Sequence, residues 1–152
     1  MTPEERLQEL GLTVPDVAKP VAAYVPAVRS GDYVYTAGQL PLRDGELMAT
    51  GKLGGAVSPE LGAECAQQCA LNGIAAVQSV VGELSRVVRV VKVVAFVSST
   101  QDFTGQPGVA NGASELLGAV FGEAGRHARS AVGVPVLPLD APVEVELLVE
   151  VA

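Results

Sequence analysis

The sequence has few of the side chains that metal and redox sites require. One histidine, His127, and two cysteines, Cys65 and Cys69, occur in 152 residues. A zinc-type site would need further ligands, and His127 is far from the cysteines in sequence. The cysteines lie four residues apart in a helical pattern and not in a C-x-x-C motif, which favours two small core residues over a redox pair. We therefore predict no metal site.

Common catalytic and nucleotide-binding motifs are also missing from the sequence. No serine lies in a G-x-S-x-G elbow, and a single histidine cannot support several catalytic triads. Neither a P-loop nor a G-x-G-x-x-G motif is present. These absences disfavour serine-hydrolase, phosphate-nucleotide and dinucleotide chemistry.

Long apolar runs and an excess of positive charge are absent as well. No stretch of about 18 or more apolar residues is free of charge, so no transmembrane helix is expected. The first ten residues are acidic and lack the basic and apolar regions of a signal peptide, so we expect a cytoplasmic protein. The net charge is −7, which disfavours nucleic acid binding because phosphate contacts rest on Lys and Arg.

Apolar residues are abundant. They make up 49% of the chain and charged residues only 18%, which is ample material for a core and suggests a surface buried between subunits. The length predicts one domain over residues 1–152. Thr2, Pro3 and Glu5 form a capping-box pattern, which predicts a helix to about Leu10 within an N-terminal extension, residues 1–19. Extended chain is expected at Pro15 and Pro20.

The remaining pattern predicts strands and helices in the order β-β-α-β-α-β-β. A hairpin of strands at 23–28 and 33–38 precedes a loop at 42–57. Ser58 caps a helix with an apolar stripe at Ala70, Ile74, Val77 and Val81. A strand at 87–97, a helix at 108–121 and strands at 130–136 and from Val143 complete the order. We predict an α+β sandwich with two helices on one face of a mixed sheet, its other face covered by further subunits.

The residue best suited to bind a ligand is Arg129, at the head of an apolar strand. A guanidinium there can present a planar fork to a carboxylate. The alternatives are a solvated arginine or a salt bridge to Glu144 or Glu146, which lie on one side of the last strand. A carboxylate of that pair could position water or a proton, and a nearby cation would ease their mutual repulsion.

Three other residues are weaker candidates on their own. Gly38 ends the second strand and could allow a ligand or another backbone to approach closely. Tyr24 could be a core residue or place a phenol at a cleft. Asn111, near the start of the second long helix, is of a type that often serves as a cap or turn residue.

Taken together, these segments resemble the RidA/YjgF family, also called L-PSP endoribonuclease-like proteins. The resemblance lies in the runs Ala23-Tyr24-Val25-Pro26-Ala27-Val28 and Thr36-Ala37-Gly38-Gln39-Leu40-Pro41, the segment 94–103, Asn111 with Glu115, Ala128-Arg129-Ser130-Ala131-Val132, Leu137-Pro138 and Val143-Glu144-Val145-Glu146. It extends from about Pro20 to Ala152. No single segment is decisive, but their order and spacing together are specific.

Several expectations follow from the resemblance alone. It implies a chorismate-mutase-like fold, a homotrimer with clefts between subunits, no cofactor, and hydrolysis of enamines and imines such as 2-aminoacrylate to ammonia and a 2-keto acid. Arg129 would hold the substrate carboxylate and Glu144 would position the attacking water. Tyr24, Gly38 and Asn111 would line the cleft.

The sequence departs from the pattern of deaminating members at two cleft positions. Ala37 replaces a serine and Ala131 replaces a cysteine, so two polar groups become methyl groups. The segment between Pro41 and Ser58 is longer, and the N-terminal helix is additional. Two alternatives to a deaminase therefore stay open: a non-catalytic module that binds small carboxylate metabolites, and an endoribonuclease, which the acidic charge disfavours.

Overall fold

The computed structural model describes residues 1–17 and 23–152. The predicted extended chain at Pro20 lies outside the described residues. In these two ranges, three α-helices and seven strands follow one another: α1 Pro3–Glu9, β1 Ala27–Ser30, β2 Tyr33–Thr36, β3 Leu42–Arg43, β4 Glu46–Leu47, α2 Pro59–Val81, β5 Val87–Ser98, α3 Gln106–Phe121, β6 Ala128–Val134 and β7 Val143–Val151.

Five strands form one mixed sheet in the order β1-β2-β7-β5-β6. Strands β5 and β6 are parallel, and the other neighbouring pairs are antiparallel. Helices α2 and α3 connect strands of this sheet and pack against each other and against it. The predicted α+β architecture, with two helices on one face of a mixed sheet and an N-terminal helix added, is confirmed.

The helices begin where the sequence places polar caps. The Thr2 hydroxyl accepts a hydrogen bond from Glu5 N, and the Glu5 carboxylate accepts one from Thr2 N, which completes the predicted capping box. The Ser58 hydroxyl accepts from Leu61 N at 3.1 Å. Each cap satisfies an N–H that the helix itself cannot pair, so both starting points are fixed by local chemistry.

The core lies between the two long helices and the sheet. The predicted stripe on α2, Ala70, Ile74, Val77 and Val81, is buried throughout. It packs with alternate residues of the two central strands, which are also buried: Val93, Ala95 and Val97 on β5, and Val143, Val145, Leu147, Val149 and Val151 on β7. We call this side of the sheet the helix face.

The opposite side, which we call the open face, is not covered by any described part of the chain. Tyr35, Leu148 and Lys92 stand in one row across it, and Glu144, Phe96 and Val132 in another. Tyr35 is 50% exposed and Val132 44% exposed. An apolar sheet face left in water is costly, so this surface is suited to contact with another protein surface.

Strand boundaries differ from the sequence prediction at several points. The first strand runs from Ala27 to Ser30, and residues 23–26 lie outside the sheet. The second strand stops at Thr36, because the chain leaves the ladder at Ala37 and Gly38. Strand β6 begins two residues earlier than predicted and ends at Val134.

The segment 42–57, predicted as a loop, contains the short β3–β4 hairpin. Asp44 and Gly45 form its turn with positive φ angles of 53° and 81°. An Asp-Gly pair between short strands is a strong hairpin signal, because both turn residues must adopt the left-handed region. The Asp44-Gly45 pair therefore predicts this hairpin, but each of its strands is only two residues long, which is too short to give an alternating pattern.

Candidate functional site

Arg129 lies in the second position of edge strand β6, beside helix α3. Its register partner on β5 is the buried Val93, so the side chain lies on the helix face. The guanidinium Nη1 donates to Asn111 Oδ1 at 2.8 Å and to Ser114 Oγ at 3.1 Å. Nη2 lies 3.4 Å from the Pro107 carbonyl oxygen. Helix α3 therefore holds this arginine through neutral oxygen atoms alone.

A second polar group joins this cluster. His127 Nε2 is 2.9 Å from Ser114 Oγ, and His127 Nδ1 is 2.6 Å from the Gly125 carbonyl oxygen. Sequence reasoning missed both Ser114 and His127. The signal that could have found them is helical spacing, since Ser114 lies three residues after Asn111 on the same side of α3. We call Asn111, Ser114, His127 and Arg129 the Arg129 cluster.

The salt bridge considered from the sequence, between Arg129 and Glu144 or Glu146, does not form within the described chain. Glu144 is the register partner of Phe96 and Glu146 that of Val94, and both partners face the open side. Strand β5 also separates β6 from β7. Among the described residues, the one ion pair within 4 Å joins Arg126 and Glu123. The guanidinium of Arg129 therefore keeps its charge unneutralised.

Glu144 lies at the start of β7 and is half-buried. Burial raises the pKa of its carboxyl group above the ordinary glutamate value, and the neighbouring negative charge of Glu146 raises it further. Its carboxylate lies directly against Gly38, because a Cβ built there would come within 2.4 Å of Glu144 Oε1. Only glycine leaves this space for the carboxylate. We call Gly38, Glu144 and Glu146 the Glu144 cluster.

A break in the β2–β7 ladder creates that close approach. The Thr36 hydroxyl accepts from Leu147 N at 2.9 Å, so a side-chain oxygen replaces a backbone carbonyl. Pairing resumes at Gln39, whose backbone N donates to Val145 O at 2.7 Å. The two intervening residues, Ala37 and Gly38, leave the ladder, as a bulge allows, and this brings the Gly38 backbone against Glu144.

The other predicted site residues are placed as follows. Asn111 accepts a hydrogen bond from Arg129 and so belongs to the Arg129 cluster. Ala131 pairs with Ala95, lies on the helix face and packs partly against the core. Tyr24 is 49% exposed in the segment before β1. The structure thus joins Arg129 with Asn111 and Gly38 with Glu144, and it places the two clusters on opposite faces of the sheet.

The cysteines take no part in either cluster. Cys65 and Cys69 are buried on α2 with free thiols. Burial raises the pKa of the Cys65 thiol to about 11 and that of Cys69 as well, so neither is a ready thiolate. Within residues 1–17 and 23–152, no group of three His, Cys, Asp or Glu side chains is arranged to hold a metal ion. None of the described helices has the length and apolar character that crossing a bilayer demands.

Comparisons with known proteins identify the family of the chain. Residues 4–151 match the model of the family described as "YjgF/chorismate mutase-like, putative endoribonuclease". Protein TCP17 of Trypanosoma cruzi is 48% identical over 145 residues, which cover 95% of this chain and 91% of that protein.

Solved structures give the same result. A Shewanella oneidensis protein with the same endoribonuclease designation superposes with a TM-score of 0.97 and 36% identity, over 99% of this chain and 100% of that one. Atu1372 of Agrobacterium tumefaciens, of unknown function, gives 0.93 and 43% identity over 99% and 92% of the two chains. The Escherichia coli YjgF gene product gives 0.62 and 27% over 89% and 93%. The chain described here belongs to the YjgF/chorismate mutase-like family.

Proposed function

We propose that this protein is an enamine/imine deaminase that hydrolyses small 2-imino acids to 2-keto acids and ammonia, in clefts between the subunits of a cytoplasmic homotrimer. Among the described residues, one observation carries the proposal: Arg129 is held in place by neutral oxygens, and no carboxylate lies within salt-bridge distance. A fixed, unneutralised guanidinium at a strand edge is suited to a ligand carboxylate.

Arg129 supplies binding and orientation in this proposal. Its contact with the substrate carboxylate is the same before and during the reaction, so it sets affinity and pose and leaves the chemical barrier to other groups. Asn111 contributes by fixing the guanidinium. An imine carbon is already electrophilic, so that orientation of the imine and a water molecule supplies much of the needed rate enhancement.

Glu144 supplies the proton transfers. Its carboxylate accepts a proton from water as the oxygen bonds to the imine carbon, the C=N electron pair moves to nitrogen, and Glu144 passes that proton to the nitrogen to give a neutral carbinolamine. In the collapse, Glu144 accepts the hydroxyl proton and passes it to the nitrogen as the C–N bond breaks, so that a keto group and ammonia result and the carboxylate is restored. The raised pKa of Glu144 suits it to accept and return a proton. The reaction consumes the imine and one water molecule and needs no other reactant.

The opposite placement of the two clusters is the reason to put the site between copies of the chain. Within one described chain, a substrate bound at Arg129 on the helix face cannot reach Glu144 on the open face. The open face is apolar and exposed, which favours a symmetric association that covers it. The trimer itself comes from the family resemblance, and so do the places of Tyr24, Gly38 and Ala131 in the cleft.

A non-catalytic binding module for small carboxylate metabolites is the second candidate. Ala37 and Ala131 favour it, since they provide methyl groups at two cleft positions where deaminating relatives carry polar side chains. This hypothesis retains carboxylate binding by Arg129 and removes proton transfer by Glu144. An endoribonuclease is disfavoured by the net charge of −7.

The test measures ammonia and keto acid released from freshly generated 2-aminoacrylate. We expect the purified protein to accelerate release, and Arg129→Ala and Glu144→Gln each to abolish the acceleration. Pyruvate binding without turnover would select the binding module. Activity that persists unchanged in Arg129→Ala would remove Arg129 from the site and overturn the proposal.

Mixing the two inactive variants tests whether the site spans two chains. After co-refolding of equal amounts of the two variants, about a quarter of the subunit interfaces in a closed ring join an intact Arg129 to an intact Glu144. We therefore expect about a quarter of the original activity to return. The matched control is a mixture of Arg129→Ala with itself, carried through the same procedure. No recovery, with ring assembly confirmed, would place both residues of each site on one chain.

A further inference from the structure

The two ends of the Arg129 guanidinium are bonded differently. Nη1 donates to Asn111 Oδ1 and Ser114 Oγ, which uses both of its hydrogens. Nη2 has one long contact, at 3.4 Å to the Pro107 carbonyl. Nε has no hydrogen-bond partner among the described residues. The edge formed by Nε and Nη2 therefore keeps two N–H groups side by side for a carboxylate.

The direction of the hydrogen bonds behind Nη1 can be assigned. The Gly125 carbonyl can only accept, so His127 Nδ1 carries the proton at 2.6 Å. In the neutral ring Nε2 then has a lone pair and accepts the Ser114 hydroxyl hydrogen at 2.9 Å. The lone pairs of Ser114 Oγ are left facing Arg129, so Ser114 Oγ accepts a hydrogen bond from Arg129 Nη1 at 3.1 Å. All three bonds run from Arg129 toward Gly125.

We propose that Ser114 and His127 are positioning residues that tie the Nη1 end of Arg129 to helix α3, so that a ligand carboxylate docks on the Nε–Nη2 edge. The inference rests on the proposed function for the identity of the ligand. Its structural basis is independent, because the hydrogen bonds lie within one chain. Removal of the Ser114 hydroxyl leaves Asn111 alone to hold Nη1, and the guanidinium can then turn.

The effect of His127 protonation on carboxylate binding distinguishes a role in positioning Arg129 from a merely structural role. Arg129 faces His127 across Ser114, and Arg126 lies next to it in sequence, paired with Glu123. From β5, Arg89 donates to the Arg126 carbonyl at 3.2 Å. Helix α3 presents the neutral Ser114. A protonated Nε2 would become a donor to Ser114, displace its hydroxyl hydrogen and place a cation near the guanidinium.

Carboxylate affinity should therefore fall as His127 becomes protonated. An added positive charge that acted only through space would have the opposite effect. The sign of the difference in pH dependence between the wild type and a variant without His127 thus separates a role in holding Arg129 from a general electrostatic one.

The first experiment is nitrogen NMR of the intact protein, in which His127 is the one histidine of the chain and gives an unambiguous signal. We expect the neutral ring to carry its proton on Nδ1, and Ser114→Ala to shift the Nε2 resonance. Ser79→Ala is the matched control, since Ser79 is also a helical serine and its hydroxyl donates to Ala76 O. A neutral ring protonated on Nε2 would overturn the proposal.

The second experiment is calorimetric titration with pyruvate. We expect Ser114→Ala to weaken binding about 10-fold, the effect of losing one hydrogen bond to a charged group. Ser114→Thr and His127→Gln should retain most of the affinity, because they keep the hydroxyl and the neutral acceptor. Toward acid pH, wild-type affinity should fall relative to that of His127→Gln, since Glu144 is protonated in both proteins and His127 in the wild type alone. Equal affinities for Ser114→Ala and Ser79→Ala would refute the positioning role.

The two experiments separate failure of this inference from failure of the proposed function. If Arg129→Ala binds pyruvate as tightly as the wild type, or neither binds it, the proposed function is wrong. The NMR result then decides the positioning role by itself: Nδ1 protonation with a shift specific to Ser114→Ala supports it, and any other pattern overturns it.

Discussion

The Arg129 cluster and the Glu144 cluster prepare opposite charges by opposite means. Around Arg129, neutral oxygens fix a cation whose charge nothing in the described chain cancels. Around Glu144, burial and a like charge disfavour ionisation. One cluster offers a permanent charge for binding, and the other offers a group that changes its protonation readily. These are the properties expected of an anchor and of a general base, respectively.

Among substitutions that do not abolish the acceleration outright, the largest effect should come from closing the space beside Glu144. In Gly38→Ala the added methyl carbon would lie 2.4 Å from Glu144 Oε1, which is too close, so the carboxylate must move. Since a displacement of about 1 Å can cost about 100-fold, we expect kcat/KM for imine hydrolysis to fall by at least about that factor. Gly55→Ala is the control, because its methyl group would make ordinary contacts of 3.4 Å or more. Full activity of Gly38→Ala would show that the carboxylate has no required position.

A smaller effect should come from changing the shape of the anchor while keeping its charge. Arg129→Lys retains the cation but loses the planar fork and the paired hydrogen bonds. We expect kcat/KM to fall by about 10- to 100-fold, as for loss of a hydrogen bond to a charged group. Arg29→Lys is the matched control, as Arg29 is exposed and bonds to Gly31 O. Unchanged kcat/KM for Arg129→Lys would show that the positive charge alone is needed at this position and that the planar fork is not.

The smallest effect should come from removing the like charge beside Glu144. Glu146→Gln eliminates the second cause of the raised pKa, so ionised Glu144 persists to lower pH. The acid limb of the kcat/KM profile should therefore move to lower pH, with little change at the plateau. Glu150→Gln, on the same face of β7, should leave the limb in place. A limb that stays fixed in Glu146→Gln, or moves up, would contradict the assignment of Glu144 as the base.

Local chemistry made much of the fold predictable. The caps at Thr2 and Ser58 and the apolar stripe on α2 are determined by residues close in sequence, and the structure shows them where they were expected. The strand predicted at 23–28 lies at Ala27–Ser30 instead, because its bounds depend on hydrogen bonding to β2 and not on apolar content alone. Pro26 contributes only its carbonyl, which accepts from Ala37 N at 2.8 Å.

The site was predictable in its parts and not in its arrangement. Arg129, Glu144 and Gly38 stood out by residue type and position, and the family resemblance added roles. Which face each side chain occupies depends on register across three strands, β7, β5 and β6, and a single residue of slip reverses it. His127 was missed because a hydrogen bond between a helix and the residue before a strand leaves no periodic trace in the sequence. Ser114 was missed because only its helical spacing from Asn111 distinguishes it.

The placement of the two clusters on opposite faces of one sheet has a kinetic consequence for the proposed enzyme. Specific activity should depend on the protein's own concentration, because a separated subunit would have only half of each catalytic centre. We expect dilution to inactivate the enzyme and reconcentration to restore it.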